Sequence, residues 1–423
     1  MPNLTPALSF SVVFVIAVVA MVATKLWLAS RQIRFVAAHR DAVPPRFAEK
    51  IALAAHQRAA DYTVARTRLG MLEIVLSAAV LIALTLVGGV QALDLGLSDW
   101  LGRGYVGQIA LIAAVLAISG LVELPLDYYR QFVIEARFGF NRMTRHMFVV
   151  DRLKGLAIGV VLGLPLLFVV LWLMRQAGSL WWLWTWAVWV GFQMLVLVLY
   201  PTFIAPLFNK FEPLKDDALR SRIEALMQRC GFAAKGLFVM DGSRRSAHGN
   251  AYFTGFGAAK RIVFFDTLLA RLSGSEIEAV LAHELGHFKR RHVVKRMVVT
   301  FAISLALLAL LGWLSQRVWF YEGLGVRPSL LGGNEGLALV LFFLAVPVFL
   351  FFVTPLGSLS SRKHEFEADA FAATQTDAQQ LVSALVKLYE DNASTLTPDP
   401  LYTAFYYSHP PASQRIDRLL SHA

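Results

Sequence analysis

Seven apolar runs, each long enough to cross a bilayer, constrain this chain more than any other feature. A hydrocarbon core about 30 Å thick takes roughly 20 apolar helical residues per crossing. The runs lie near 8–29, 70–93, 105–125, 153–174, 180–206, 297–316 and 336–357. Inside lipid the backbone must satisfy its own hydrogen bonds, so runs of this length cross as helices. Glu123 and Pro125 close the third run, and Pro201 and Pro206 interrupt the fifth. The first has no Lys or Arg before Lys25, unlike a signal peptide, and reads as a retained anchor. Composition agrees. Hydrophobic residues make up 57% of the chain and charged ones 16%, against about 25% charged in an ordinary soluble domain. That mixture excludes a disordered chain and a purely water-soluble enzyme. The expected class is an all-α integral membrane protein.

Basic loops stay on the cytoplasmic side. Arg31, Arg34, Arg40, Arg46, Lys50, Arg58, Arg66 and Arg68 fall between the first two spans, and Arg130, Arg137, Arg142, Arg145, Arg152 and Lys154 between the third and fourth. The alternate loops are poor, with only Arg103, Arg175, and the pair Arg317 and Arg327. The N-terminus is therefore expected outside and the C-terminus inside. Trp181, Trp182, Trp184 and Trp186 then form an aromatic belt at the outer end of the fifth span. The net charge of +11 fits basic loops on an anionic leaflet rather than nucleic-acid binding.

The chain divides into 1–206 with five spans, a polar stretch 207–296, the last two spans within 297–357, and a polar stretch 358–423. The polar stretches face the same side and are expected to assemble together. Strand-like Asn250–Phe253 and Arg261–Phe265 suggest a small β-hairpin. Ser275 and Glu278 have the spacing of a capping box that starts a helix.

That helix would carry His283-Glu284-Leu285-Gly286-His287. Histidines four apart share a helix face and can reach one metal ion, while the adjacent Glu284 is placed to take a proton from water. The bare pattern also arises by chance, and a polar juxtamembrane face is the competing explanation. The only cysteine, Cys230, excludes a Cys-based zinc cluster and an intrachain disulfide. A third ligand is needed, and His364-Glu365-Phe366-Glu367-Ala368-Asp369 lies beyond the seventh span. Glu365 is the leading ligand, with His364 an alternative. Asp369, four residues on, can orient a histidine ring, and Glu367 points elsewhere.

Several ordered segments resemble the type I CAAX prenyl endopeptidases, integral membrane zinc metalloproteases with seven spans. They are Phe132–Glu135 with Gly139–Asn141, Tyr200–Phe211, His248–Phe253 with Gly255 and Phe256, Arg261–Asp266, His283–His287, Glu365–Asp369, and Ser408–Pro411 with Arg415. The resemblance implies seven helices forming a barrel around a water-filled chamber, with a mainly helical protease domain. It implies one Zn2+ per chain held by His283, His287 and Glu365, with Glu284 as general base. His409 and Arg415 map beside the metal. His409 could donate to the oxyanion, and Arg415 could either hold Asp369 or stabilise the same charge. Asn250 and Ala251 match the edge strand that a peptide substrate can extend.

The expected activity is hydrolysis of peptide bonds, with a C-terminal CAAX-type, prenylated peptide as the family's substrate. The Ala- and Arg-rich composition points to a bacterial inner membrane, with the site on the cytoplasmic side. The alternatives are a heat-shock-like membrane quality-control protease and, further off, a transporter or scaffold with an accidental metal motif. A site-2-type protease is disfavoured, because Lys289, Arg290 and Arg291 follow the motif where that class needs an apolar helix.

Overall fold

The computed structural model describes residues 5–232, 236–254 and 261–421. Gly255, Phe256 and Gly257, between the two expected hairpin strands, lie outside the described residues. Helices of eight residues or more are numbered in chain order: α1 (Pro6–Ala38), α2 (Leu53–Leu84), α3 (Gly89–Leu101), α4 (Tyr105–Tyr129), α5 (Arg145–Gln176), α6 (Trp181–Leu199), α7 (Asp217–Cys230), α8 (Gly274–Lys289), α9 (His292–Leu314), α10 (Glu335–Leu350), α11 (Thr354–Gln375), α12 (Ala378–Asp391) and α13 (Ala412–Leu420). Among the described residues, seven helical segments are long and apolar enough to cross a membrane, all seven overlapping the apolar runs.

Boundaries differ more than number. The second span runs over Leu53–Leu84 rather than 70–93, because the chain turns at Gly88 (φ +90°) before α3 begins. Pro125 does not close the third span. The helix continues to Tyr129 and then through a π-helical turn at Arg130–Glu135. A second π-turn, Tyr200–Ile204, carries the fifth span past Pro201. The four tryptophans are not one belt. Trp181 is buried, Trp186 Nε1 donates to Phe301 O at 2.9 Å, and Trp184 is exposed.

Two large apolar cores divide the described residues, with a smaller cluster around Tyr62, Ile134, Phe138 and Phe140 between the second and third spans. One gathers Phe14, Leu84, Leu111, Leu171, Leu311 and Leu341 at one end of the spans, sealed by Phe320 and Leu324 of the link between α9 and α10. Six of the seven spans bury no more than 17% of their apolar window, whereas the last buries 56%. The six therefore present apolar surface outward and line space within.

The other core unites the first loop (Phe47, Ile51), residues 214–285 and residues 372–419. It contains the expected hairpin, Ala251–Thr254 antiparallel to Arg261–Phe265, within a larger four-stranded sheet. In chain order the strands are β1 (Phe211–Pro213), β2 (Gly236–Met240), β3 (Ala251–Thr254) and β4 (Arg261–Phe265). Their spatial order is β1-β2-β4-β3, and β2 runs parallel to β4. β1 has only three residues, and β2 pairs in parallel with β4 rather than with β3, the next strand in sequence, which alternation alone does not reveal.

Candidate metal centre

The helix carrying His283 starts two residues earlier than its overlapping Ser/Glu patterns suggested. The capping box is Ser273 with Glu276: Ser273 N donates to Glu276 Oε2 at 2.7 Å, and Glu276 N to Ser273 Oγ at 3.4 Å. Ser275 instead meets Gln380, and Glu278 pairs with Arg222 and Arg229. Burial works against the Glu276 charge. The Lys387 ammonium and the hydroxyls around it win, and hold its carboxyl down to about 2.

α8 packs along α11, and Gly286 permits the approach. A Cβ there would lie 2.9 Å from Ala368 Cα and 3.0 Å from Ala368 O. α11 continues the seventh span in one helical segment of 41 residues, Glu335–Gln375, so the membrane helix itself delivers Glu365 to the histidines. His283 Nε2 lies 3.3 Å from His287 Nε2. Glu365 Oε2 lies 3.4 Å from His283 Nε2, and Oε1 3.4 Å from His287 Nε2. Two ligands about 2.0–2.1 Å from one tetrahedral ion, the bond length of zinc to nitrogen or carboxylate oxygen, lie about 3.3–3.4 Å apart, as the two histidine nitrogens do here, with each Glu365 oxygen at that distance from a different histidine. Glu365 is buried, and its Oε2 has no hydrogen-bond partner among the described residues. Burying a charged oxygen without a donor is costly, so a cation fits this gap. Two imidazoles and one carboxylate suit a borderline transition metal better than calcium or magnesium, which prefer all-oxygen shells.

The groups around the trio fix its geometry. His283 Nδ1 donates to Asp369 Oδ1 at 2.8 Å, leaving Nε2 free to ligate. Burial opposes a charge on His283, but the neighbouring carboxylates of Asp369 and Glu365 prevail and raise its pKa to about 9. A cation entering the site therefore displaces a proton. Arg415, buried, grips Asp369 in bidentate fashion, Nε to Oδ2 at 2.8 Å and Nη2 to Oδ1 at 2.6 Å. His409 Nε2 stands 3.5 Å from Glu365 Oε1 on an exposed side chain. Glu284 is half-buried, and its charge acts on His409. His364 is not among the clustered ligand atoms, and its ring stacks on His292 at 4.0 Å.

Asn250 and Ala251 lie at the free edge of the sheet. Asn250 O accepts from Phe265 N at 3.0 Å, and Asn250 Oδ1 from Ala251 N at 2.8 Å. Neither hydrogen-bonds to the trio among the described residues.

One residue beside the trio, His292, was not singled out from sequence. Arg291 takes a left-handed conformation (φ 55°), so the chain turns and His292 faces back toward α8. His292 Nδ1 lies 3.0 Å from His287 Nδ1, and His292 Nε2 2.9 Å from Glu367 Oε2. Glu367 does point away from the trio, as expected, yet it reaches it through His292. The signal available in sequence was a third histidine five residues past the motif, a spacing that leaves the face of a continuous helix.

Comparisons with known proteins agree with this geometry. The family described as CAAX prenyl protease N-terminal, five membrane helices, matches residues 32–210, and peptidase family M48 matches residues 213–423. The CAAX prenyl protease 1 homolog of Arabidopsis thaliana is 40% identical over 313 residues, covering 73% of this chain and 72% of that one. CAAX prenyl protease 1 of Saccharomyces cerevisiae is 37% identical over 326 residues, covering 74% and 72%. The crystal structure of S. mikatae Ste24p superposes with a TM-score of 0.91 at 29% identity, covering 99% of this chain and all of that one. Such likeness over both halves of the chain sets aside a transporter or scaffold with an accidental motif. The chain belongs to peptidase family M48, in the branch with a CAAX prenyl protease N-terminal region, and is a multi-pass membrane metalloendopeptidase.

Proposed function

We propose that this protein is a zinc endopeptidase, one ion per chain, that cleaves peptides bearing a C-terminal CAAX-type motif, prenylated as in the family's substrates. The observation that carries this reading is the His283–His287–Glu365 trio, spaced for zinc around an unpartnered buried oxygen, in a chain similar to CAAX prenyl proteases over about three quarters of its length. The ion, when bound, supplies Lewis-acid polarisation and makes water nucleophilic at neutral pH.

The protein's own groups do the rest. The Glu284 carboxylate takes the proton of the attacking water and returns it to the departing amine nitrogen. His409 Nε2 donates a hydrogen bond to the carbonyl oxygen as that oxygen gains negative charge. Asp369 holds His283 in the tautomer with Nε2 unprotonated, and Arg415 holds Asp369. Glu367 does the same for His287 through His292. Asn250 and Ala251, at the edge of the sheet, suit an extended peptide added as a further strand.

The 207–296 and 358–423 stretches form the catalytic portion, with the spans of 1–206 and 297–357 as its membrane wall. Its place is the cytoplasmic side of a bacterial inner membrane, which the basic loops support. A farnesylated CAAX peptide and its unlipidated twin, offered to the purified zinc-loaded protein, test the substrate. Cleavage of the farnesylated peptide at the CAAX cysteine is expected, and cleavage of neither contradicts the reading. Sidedness is tested with Leu330→Cys on the exposed α9–α10 link and Ser421→Cys, each after Cys230 is replaced. An impermeant thiol reagent should label the first but not the second on intact cells; the reverse result inverts the orientation.

A further inference from the structure

A cavity of about 670 Å3 adjoins the metal centre, between α1, α2 and the segment that leads to α13. His409, one of its lining residues, lies 3.5 Å from Glu365 Oε1. Lys25, Gly70 and Ile74 line this cavity and also a second, of about 270 Å3, whose walls include Met21, Leu81 and Leu344. The space thus runs from the metal centre past Lys25 toward an apolar recess among the spans.

Lys25 belongs to the first membrane-crossing helix, where a charge is costly and marks a function by default. Its ammonium lies 5.2 Å from the centre of the Phe351 ring and makes no ion pair among the described residues. Arg66, also lining the cavity, rests on Tyr62: Nη1 is 3.5 Å from the hydroxyl, and the guanidinium 5.5 Å from the ring centre. The acids nearby are engaged elsewhere. Glu135 feels the Arg66 charge but accepts from the Tyr62 hydroxyl at 2.6 Å and faces His248 at 3.6 Å. Glu73, on the second cavity, pairs with Arg130. Two cations therefore face a cavity of ligand-binding size without an anion dedicated to either.

We propose that Lys25 and Arg66 bind the free C-terminal carboxylate of the peptide substrate. The inference rests on the peptidase reading above. An extended peptide advances about 3.3 Å per residue, so three residues beyond the cleaved bond reach roughly 10 Å. A carboxylate anchored at a fixed distance from the metal sets the distance from the chain end at which cleavage occurs. A lipid phosphate shares the same anionic chemistry, and the test separates the two.

Zinc-loaded Glu284→Gln protein, which binds peptide without turnover, is titrated with two CAAX peptides that differ only at the end, one a free acid and one a carboxamide. The acid should bind roughly tenfold more tightly or better, as losing a charge-assisted contact implies. Adding Lys25→Met should bring the ratio close to one, and Arg66→Gln, a second and independent variant, should reduce it. In the wild type the same preference should show in KM rather than kcat. Equal affinity for acid and amide overturns the carboxylate site while leaving the peptidase reading in place. Neither binding nor cleavage of either peptide overturns that reading, and this inference with it. Thermal stabilisation by phosphatidylglycerol over phosphatidylcholine vesicles that disappears in Lys25→Met, without an acid preference, assigns the cations to lipid phosphate and overturns the proposal.

Discussion

The metal centre and the wall of membrane helices treat charge and space in opposite ways. Around the metal, charges are buried and matched: Asp369 and Arg415 grip each other, and Glu365 meets two histidines. In the wall six of the seven spans bury little of themselves, and Lys25 stands beside a cavity without an ion-pair partner among the described residues. The first arrangement fixes ligand positions to fractions of an ångström, which metal chemistry requires. The second leaves room, which a substrate requires. Substitutions should therefore be severe in the first region and mild in the second.

The largest effect on stability should come from Arg415→Met. It leaves Asp369 buried without its partner, at a cost of about 3–5 kcal/mol, and should release the metal as well. Denaturation in detergent and metal analysis would show both, and a variant as stable and as metal-rich as wild type would dissolve the contrast. Next is Gly286→Ala, whose Cβ would crowd Ala368 at 2.9 Å. Parting α8 from α11 should cost about 1–3 kcal/mol, seen as a lower melting temperature with weakened metal binding. Glu367→Ala should weaken zinc binding by about tenfold through His292. His292→Ala should do the same, and the double variant should be little worse than either, because the pair acts as a unit. Fully additive losses would show that the two residues act separately. Smallest is Leu116→Ala in α4, a 67% exposed wall position, expected within about 0.5 kcal/mol of wild type.

The two regions also differed in how much of them could be read from sequence. The wall was legible in number, because each crossing needs its own apolar run, as 336–357 shows. Its ends were not, since a helix leaves an apolar stretch without a change of backbone: α2 begins at Leu53 among charged residues, and α11 carries Glu365 past the apolar run of the seventh span. At the metal centre, His283, Glu284 and His287 were legible from one turn of helix. Glu365 was legible because two crossings return the chain to the same side. Glu367 was read as pointing elsewhere, which holds for its direction but not for its reach, since the turn at Arg291 brings His292 to it. Lys25, Arg66 and Tyr402 come together only in three dimensions, from three distant parts of the chain, so no local pattern announced their cavity.

The central claim is that the trio holds the metal while Glu284 moves the proton. Turnover of Glu284→Gln protein with its zinc content verified tests this most directly, because the amide preserves the side chain's shape but cannot accept a proton. The account predicts one zinc per chain, as in the wild type, with peptide cleavage reduced by about 10³-fold. Zinc-loaded Glu284→Gln protein that cleaves peptide near the wild-type rate would contradict it.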